Sequence, residues 1–102
     1  MKTVWKFPLK PGKNEFMLPK HSSALTVSAM TGEPCLWALV DPSQEKVPYT
    51  FLVLGTGHEG PDDLYQEEYI GTFFVRAEHI GMMMGLPPVL VYHVFMRKPV
   101  DT

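Results

Sequence analysis

Apolar residues fall in short runs along the chain, each closed by proline, glycine or an acid–proline pair; ten prolines and eight glycines leave few windows long enough for an ordinary helix. Thr3 to Phe7 is rich in β-formers and ends at Pro8, and the turn material Lys10 to Asn14 follows it. A short segment, Glu15 to Leu18, runs up to Pro19. Ala24 to Met30 has a period of two, with Leu25, Val27 and Ala29 on one face and Thr26 and Ser28 on the other, which predicts a half-buried strand turned by Thr31 to Pro34. Leu36 to Val40 is continuously apolar and closed by Asp41-Pro42, as expected of a central strand buried on both faces. Tyr49 to Gly55 is a second such run. The polar loop between them, Pro42 to Pro48, is too short for a parallel crossover, so the two are expected to pair antiparallel. The acidic stretch Glu59 to Glu68 has room for one helical turn at Asp62 to Gln66.

Beyond that stretch, Tyr69 to Glu78 alternates imperfectly, with Tyr69, Phe73, Val75 and Ala77 opposite Ile70, Thr72, Phe74 and Arg76. Gly81 to Pro88 interrupts, and Val89 to Arg97 forms the last strand. About seven short strands with turns between them predict an all-β fold, a single-domain antiparallel β-sandwich or small barrel over residues 1–102.

Composition narrows the function classes. A chain of 102 residues, 45% hydrophobic and 20% charged, has material for one core and no room for separate catalytic and binding domains. Its formal charge of -2 lacks the basic excess of a surface that tracks phosphates, so general nucleic-acid binding is disfavoured, and it is too mild for a DNA mimic. A single cysteine, Cys35, excludes a disulfide scaffold and is expected to be a buried thiol. No stretch approaches the roughly 20 apolar residues of a spanning helix, and the prediction is a soluble, cytoplasmic protein with no membrane partner.

Candidate chemistry starts from the four histidines, none of which sits in a metal-ligand spacing. His58 follows Gly55-Thr56-Gly57 directly after a buried run. Backbone N–H groups released by the glycines, the Thr56 hydroxyl and the imidazole suit an anion such as phosphate; the same glycines also suit a plain tight turn or bulge. His93 shares a face with Val91 and Phe95 and is expected to be a satisfied core residue. His21 and His79 are expected at solvated ends. No nucleophile elbow, Walker loop or zinc pair ties Asp41, His58, Glu59, Asp62, Asp63 and Cys35 together, so no catalytic residue, metal or cofactor is assigned. Asp62 and Tyr65, in an acidic loop with interleaved tyrosines, suit a protein-binding rim. Met82, Met83 and Met84 either plug the core or form an adaptable oligomer or partner contact.

Together, Trp5-Lys6-Phe7-Pro8-Leu9, Met17-Leu18-Pro19-Lys20, Pro34 to Pro42 (PCLWALVDP), Gly55-Thr56-Gly57-His58, Tyr69-Ile70-Gly71-Thr72 and His93-Val94-Phe95 resemble a family of small proteins without assigned activity. Bacteriophages, prophages and bacteria encode them. The match runs across nearly the whole chain. The Glu78 to Pro88 insert departs from the family, whose members join the two flanking strands more directly. The resemblance implies a phage accessory protein that counters host defence without being an enzyme. One form is a homo-oligomer that sequesters a small nucleotide-derived immune signal, with phosphate at Thr56, Gly57 and His58 and a base stacked on Trp5, Trp37 or Tyr69. The alternatives are an inhibitor that covers a host defence protein through Asp62, Tyr65 and Met82 to Met84, and a structural or virion-associated module.

Overall fold

The computed structural model describes residues 1–29, 33–76 and 89–99. Its strands are β1 (Thr3–Pro8), β2 (Gly12–Pro19), β3 (Ser23–Ser28), β4 (Cys35–Val40), β5 (Lys46–Gly55), β6 (Tyr69–Arg76) and β7 (Val89–Arg97), with one 3-10 turn at Gln66–Glu68. They form two antiparallel sheets. Sheet A has the order β1-β4-β3, and sheet B the order β2-β5-β7-β6. The sheets pack as a sandwich, with Leu36, Ala38 and Val40 of β4 and Tyr49, Phe51 and Val53 of β5 in one buried core with Val94 of β7.

The sheets meet closely along two flanks without closing into a barrel. Phe7 of β1 and Phe16 of β2 bring their rings to 4.9 Å on one flank. On the other, a Cβ at Gly71 of β6 would lie 3.3 Å from Val27 Cγ2 of β3, so the glycine admits the neighbouring strand.

The chain changes sheet at three corners, each held by a polar side chain. Asn14 accepts from Lys10 N and donates to Lys10 O, which fixes the corner before β2, where Gly12 takes φ +93°. At the β2–β3 corner, Ser22 N donates to the buried Tyr49 hydroxyl at 3.2 Å, and Ser22 Oγ donates to Pro19 O at 2.6 Å. Between β4 and β5, Ser43 N and Oγ both donate to Asp41 Oδ1. These hydrogen bonds hold the Asp41 carboxyl below its ordinary pKa, the Ser43 hydroxyl first and the Ser43 N–H second.

Several expectations are corrected. Leu36 to Val40 and Tyr49 to Gly55 do not pair; β4 lies between β1 and β3, and β5 between β2 and β7. The segment joining them is a corner between sheets, which in sequence resembles a hairpin loop. Strand β5 starts at Lys46 and β2 at Gly12, both earlier than the sequence suggests. A bulge between Ala24 and Thr26 breaks the predicted alternation and leaves Leu25 51% exposed while Val27 stays buried. A second irregularity, between Tyr69 and Gly71, reverses the first two positions of β6: Ile70 packs toward the core and Tyr69 is 44% exposed. The helical turn expected at Asp62 to Gln66 is replaced by a turn closed by Leu64 N donating to Pro61 O, then the 3-10 turn. Cys35 is buried, and its thiol is free.

Candidate functional site

Strands β5 and β6 both run antiparallel to β7, which lies between them, so they are parallel to each other and their connection must return along the strands. Residues 56–68 make that return as a strap across the outer face of sheet B. Its path is fixed by apolar contacts. A Cβ at Gly60 would sit 2.8 Å from Leu54 Cδ1, and Leu64 lines a cleft with Leu52 and Phe95. A long acidic loop is thus the topological consequence of inserting β7 between β5 and β6.

Register lays the outer face out in rows. Glu15, Thr50 and Arg97 form one, and Lys13, Leu52, Phe95 and Tyr69 the next. Leu54, His93 and Thr72 follow, and then Val91 and Phe74, with Thr56 N donating to Val91 O at 3.0 Å. The cleft between the strap and the first two rows has a volume of about 300 Å³, at the small end of ligand pockets. Lys13 and Arg97 bring cations to it, and Phe95 supplies an aromatic wall against which Tyr69 packs edge-on at 5.4 Å.

One row further along the same face, polar side chains form a continuous chain. Tyr69 Oη is hydrogen-bonded to Thr72 Oγ1. Thr72 Oγ1 lies 3.1 Å from His93 Nδ1, and His93 Nε2 lies 2.8 Å from Thr56 Oγ1. The Thr56 hydroxyl also reaches Val91 O at 3.4 Å. The turn after β5 and strand β6 therefore meet at one imidazole on the centre of β7, with Tyr69 joined to it through Thr72.

Arg97 holds the strap to the sheet. Its Nη1 lies 3.3 Å from Asp63 Oδ2, and its Nη2 reaches Asp63 O at 3.2 Å and Glu68 Oε2 at 3.3 Å. These partners, Glu68 first, raise the guanidinium's pKa, so it stays cationic. Asp63 is 67% exposed and Arg97 44%, so their pair is an easily exchanged surface contact, whereas Glu68, at 20%, is held more deeply.

The sequence-derived candidates are distributed unevenly around this face. Thr56 and Tyr69 are the two ends of the polar chain. His58 is exposed, and its ring turns back over Gly55, where a Cβ would lie 2.7 Å from His58 Nδ1; with Thr56, Val91 and Tyr92 it lines a second cleft of about 260 Å³, outside the hydrogen-bonded chain. Gly57 has φ +85° and permits the turn, so a structural duty accounts for its presence. Trp5 packs against the core from β1, edge-on to Phe7, with Lys46 Nζ 5.4 Å from its ring. Trp37 lies on the outer face of sheet A under Lys6 Nζ at 5.8 Å. Neither tryptophan is brought to Thr56. Asp62 and Tyr65 are exposed on the strap, Tyr65 at 62%. Met82, Met83, Met84 and His79 lie outside the described residues.

His93 corrects its expected role. It does share a face with Val91 and Phe95, but that face is the strap-covered outer one, and the ring is half-buried and bonded to two hydroxyls. Reasoning from sequence missed His93, Thr72, Phe95, Lys13 and Arg97. The available signal was a histidine on an apolar strand face that only a long connection could cover.

Among the described residues, no group of three or more His, Cys, Asp or Glu side chains could hold a metal ion, and no helix is long and apolar enough to cross a membrane. No curated protein and no solved structure matches the chain. The family model described as a domain of unknown function, DUF7352, matches residues 1–102, and the chain belongs to that family.

Proposed function

We propose that this protein is a non-enzymatic phage accessory protein that binds and sequesters a small nucleotide-derived immune signal on the outer face of sheet B. The observation that carries the reading is the placement of Thr56 and Tyr69, through His93 and Thr72, on one polar chain beside the strap-covered cleft. Such a face offers a compact ligand three kinds of recognition at once. Phe95 and Tyr69 present aromatic surface to a base, the hydroxyls and imidazole match polar edges or a ribose, and Lys13 with Arg97 attracts an anion. Sequestration needs affinity alone, which these groups provide without an activated nucleophile.

The site departs from the sequence expectation in its aromatic partners. Tyr69, one of the three expected stacking residues, is kept, Phe95 takes the place of Trp5 and Trp37, and His93 takes the central position expected of His58. Oligomerisation through Met82 to Met84 remains part of the proposal.

Titration of isotope-labelled protein with a panel of mononucleotides and cyclic nucleotides tests the reading. Amide shifts clustered at Thr56, Thr72, His93 and Phe95, abolished by Thr72→Val and with the nucleotide recovered unmodified, are the expected result. Binding that ignores Thr72→Val, or a modified nucleotide, overturns it. The exposed pair Asp62 and Tyr65 favours the second reading, in which the strap covers a host defence protein. That inhibitor would lose its target with Tyr65→Ala and keep it with Thr72→Val.

A further inference from the structure

The Arg97 guanidinium bonds to three acceptors of the strap: the Asp63 carboxylate and carbonyl and the Glu68 carboxylate. The guanidinium also lines the cleft, with Lys13 among the other lining residues and Glu68 on the wall. A planar fork of donors in such a cleft is suited to a phosphate or carboxylate, and here it is filled by carboxylates of the same chain. We infer that Arg97, with Lys13 beside it, is the anion-receiving subsite of this face, and that Asp63 and Glu68 are internal competitors which an anionic ligand displaces. The inference deepens the ligand-binding reading above and rests on it.

Geometry makes the exchange feasible. Asp63 is two-thirds exposed and its contacts of 3.2–3.3 Å are ordinary surface bonds, so leaving Arg97 returns its carboxylate to water. Glu68 sits beside Tyr69 in sequence, and its departure frees the end of the strap nearest the aromatic pair Tyr69–Phe95. An anionic ligand would therefore replace the strap's charge on Arg97 and place its remaining part along Phe95 toward His93. A phosphate monoester carrying a flat group has that layout. Inorganic phosphate shares the charge chemistry and lacks the flat group.

The test compares inorganic phosphate, adenosine 5′-monophosphate and adenosine on the full-length protein, following the Arg97 Nε–H signal and the strap amides. Phosphate and the nucleotide are expected to shift the Arg97 signal, the nucleotide at lower concentration, and adenosine to leave it unmoved. Arg97→Gln should weaken nucleotide binding at least about tenfold, and Arg97→Lys by less, since charge persists while the fork is lost. Removing a competitor has the opposite sign. Glu68→Gln and Asp63→Asn should each tighten nucleotide binding about two- to fivefold. An unchanged backbone spectrum of each variant shows that the fold is retained.

Weaker or unchanged binding in both Glu68→Gln and Asp63→Asn overturns the competition, and so does the absence of any Arg97 shift with phosphate and nucleotide. Nucleotide binding that is lost in Thr72→Val yet intact in Arg97→Gln removes this inference and leaves the ligand-binding reading standing. Binding lost in Arg97→Gln yet intact in Thr72→Val keeps the anion subsite and overturns the part of the reading that lays the ligand along the Thr56–His93 chain.

Discussion

Thr56 Oγ1 sits 2.8 Å from His93 Nε2, joining the turn at the end of β5 to the centre of β7. The contact orders a chain of hydroxyls whose direction can be counted. Each hydroxyl has one proton to donate. For a neutral ring, Tyr69 donating to Thr72, Thr72 to His93 Nδ1, His93 Nε2 to Thr56 and Thr56 to Val91 O uses every hydrogen bond in the set. The opposite direction spends the Thr56 proton on Nε2 and abandons the bond to Val91 O. The neutral imidazole is therefore expected to carry its proton on Nε2. Long-range proton–nitrogen correlation of the ring checks this, and a dominant Nδ1–H tautomer contradicts it.

Gly55 tests what positions His58. A Cβ there would meet His58 Nδ1 at 2.7 Å and Cε1 at 2.8 Å, and because His58 is exposed the ring has solvent to swing into. Gly55→Ala is expected to stay folded, within about 1 kcal/mol of the parent, while the His58 ring resonances move toward those of a solvated side chain. Ring signals that stay in place would show that the backbone yields instead.

Tyr49 ties the β2–β3 corner to the core through a hydroxyl that accepts from Ser22 N and donates to Pro19 O at 3.4 Å. Tyr49→Phe keeps the packing and leaves a buried N–H without this acceptor, so a loss of about 1–3 kcal/mol is expected. His21, in the same corner, has φ 65°, a left-handed conformation that glycine adopts without strain. His21→Gly should be neutral or stabilising by up to about 1 kcal/mol. Urea denaturation of the two variants checks both signs, and a stable Tyr49→Phe would contradict this account of the corner.

Asp41 gives the pH-dependent element. Its pKa is lowered in the folded protein by the Ser43 hydroxyl and N–H, so the carboxylate favours folding above the unfolded pKa, and this support fades as pH falls through the folded value. Ser43→Ala removes the larger cause and should move the Asp41 titration upward. Its effect on stability should shrink in acid, below about pH 4. Carboxyl-carbon NMR titration of both proteins measures the shift; an unmoved or lowered midpoint contradicts the assignment.

The strands were legible in the sequence because each apolar run is bounded by residues that end strands. Pro8, Asp41-Pro42 and Gly55 mark ends that the structure keeps within a residue. Pairing was not legible. A period of two gives the face a residue occupies, not the strand beside it, and a corner such as 41–45 has the polar composition of a hairpin. Bulges at Leu25 and Ile70 were invisible for a related reason, since one extra residue leaves the composition unchanged and inverts the local faces. At the site, Thr56 stood out through the Gly-rich turn, and Tyr69 was one of three base-stacking candidates that the family resemblance implied. Neither His93 nor Arg97 stood out. Their roles depend on where the strap returns, and that is fixed only once β7 is known to lie between β5 and β6.

Native mass spectrometry of the protein purified from bacterial cells with an active nucleotide-signalling defence, followed by heat release of bound small molecules, tests the central claim most directly. The account expects an unmodified nucleotide in stoichiometric amount, carried by the parent protein and missing from Thr72→Val and Arg97→Gln. A protein that is empty from those cells, or a nucleotide retained equally by both variants, contradicts the assignment of ligand binding to the outer face of sheet B.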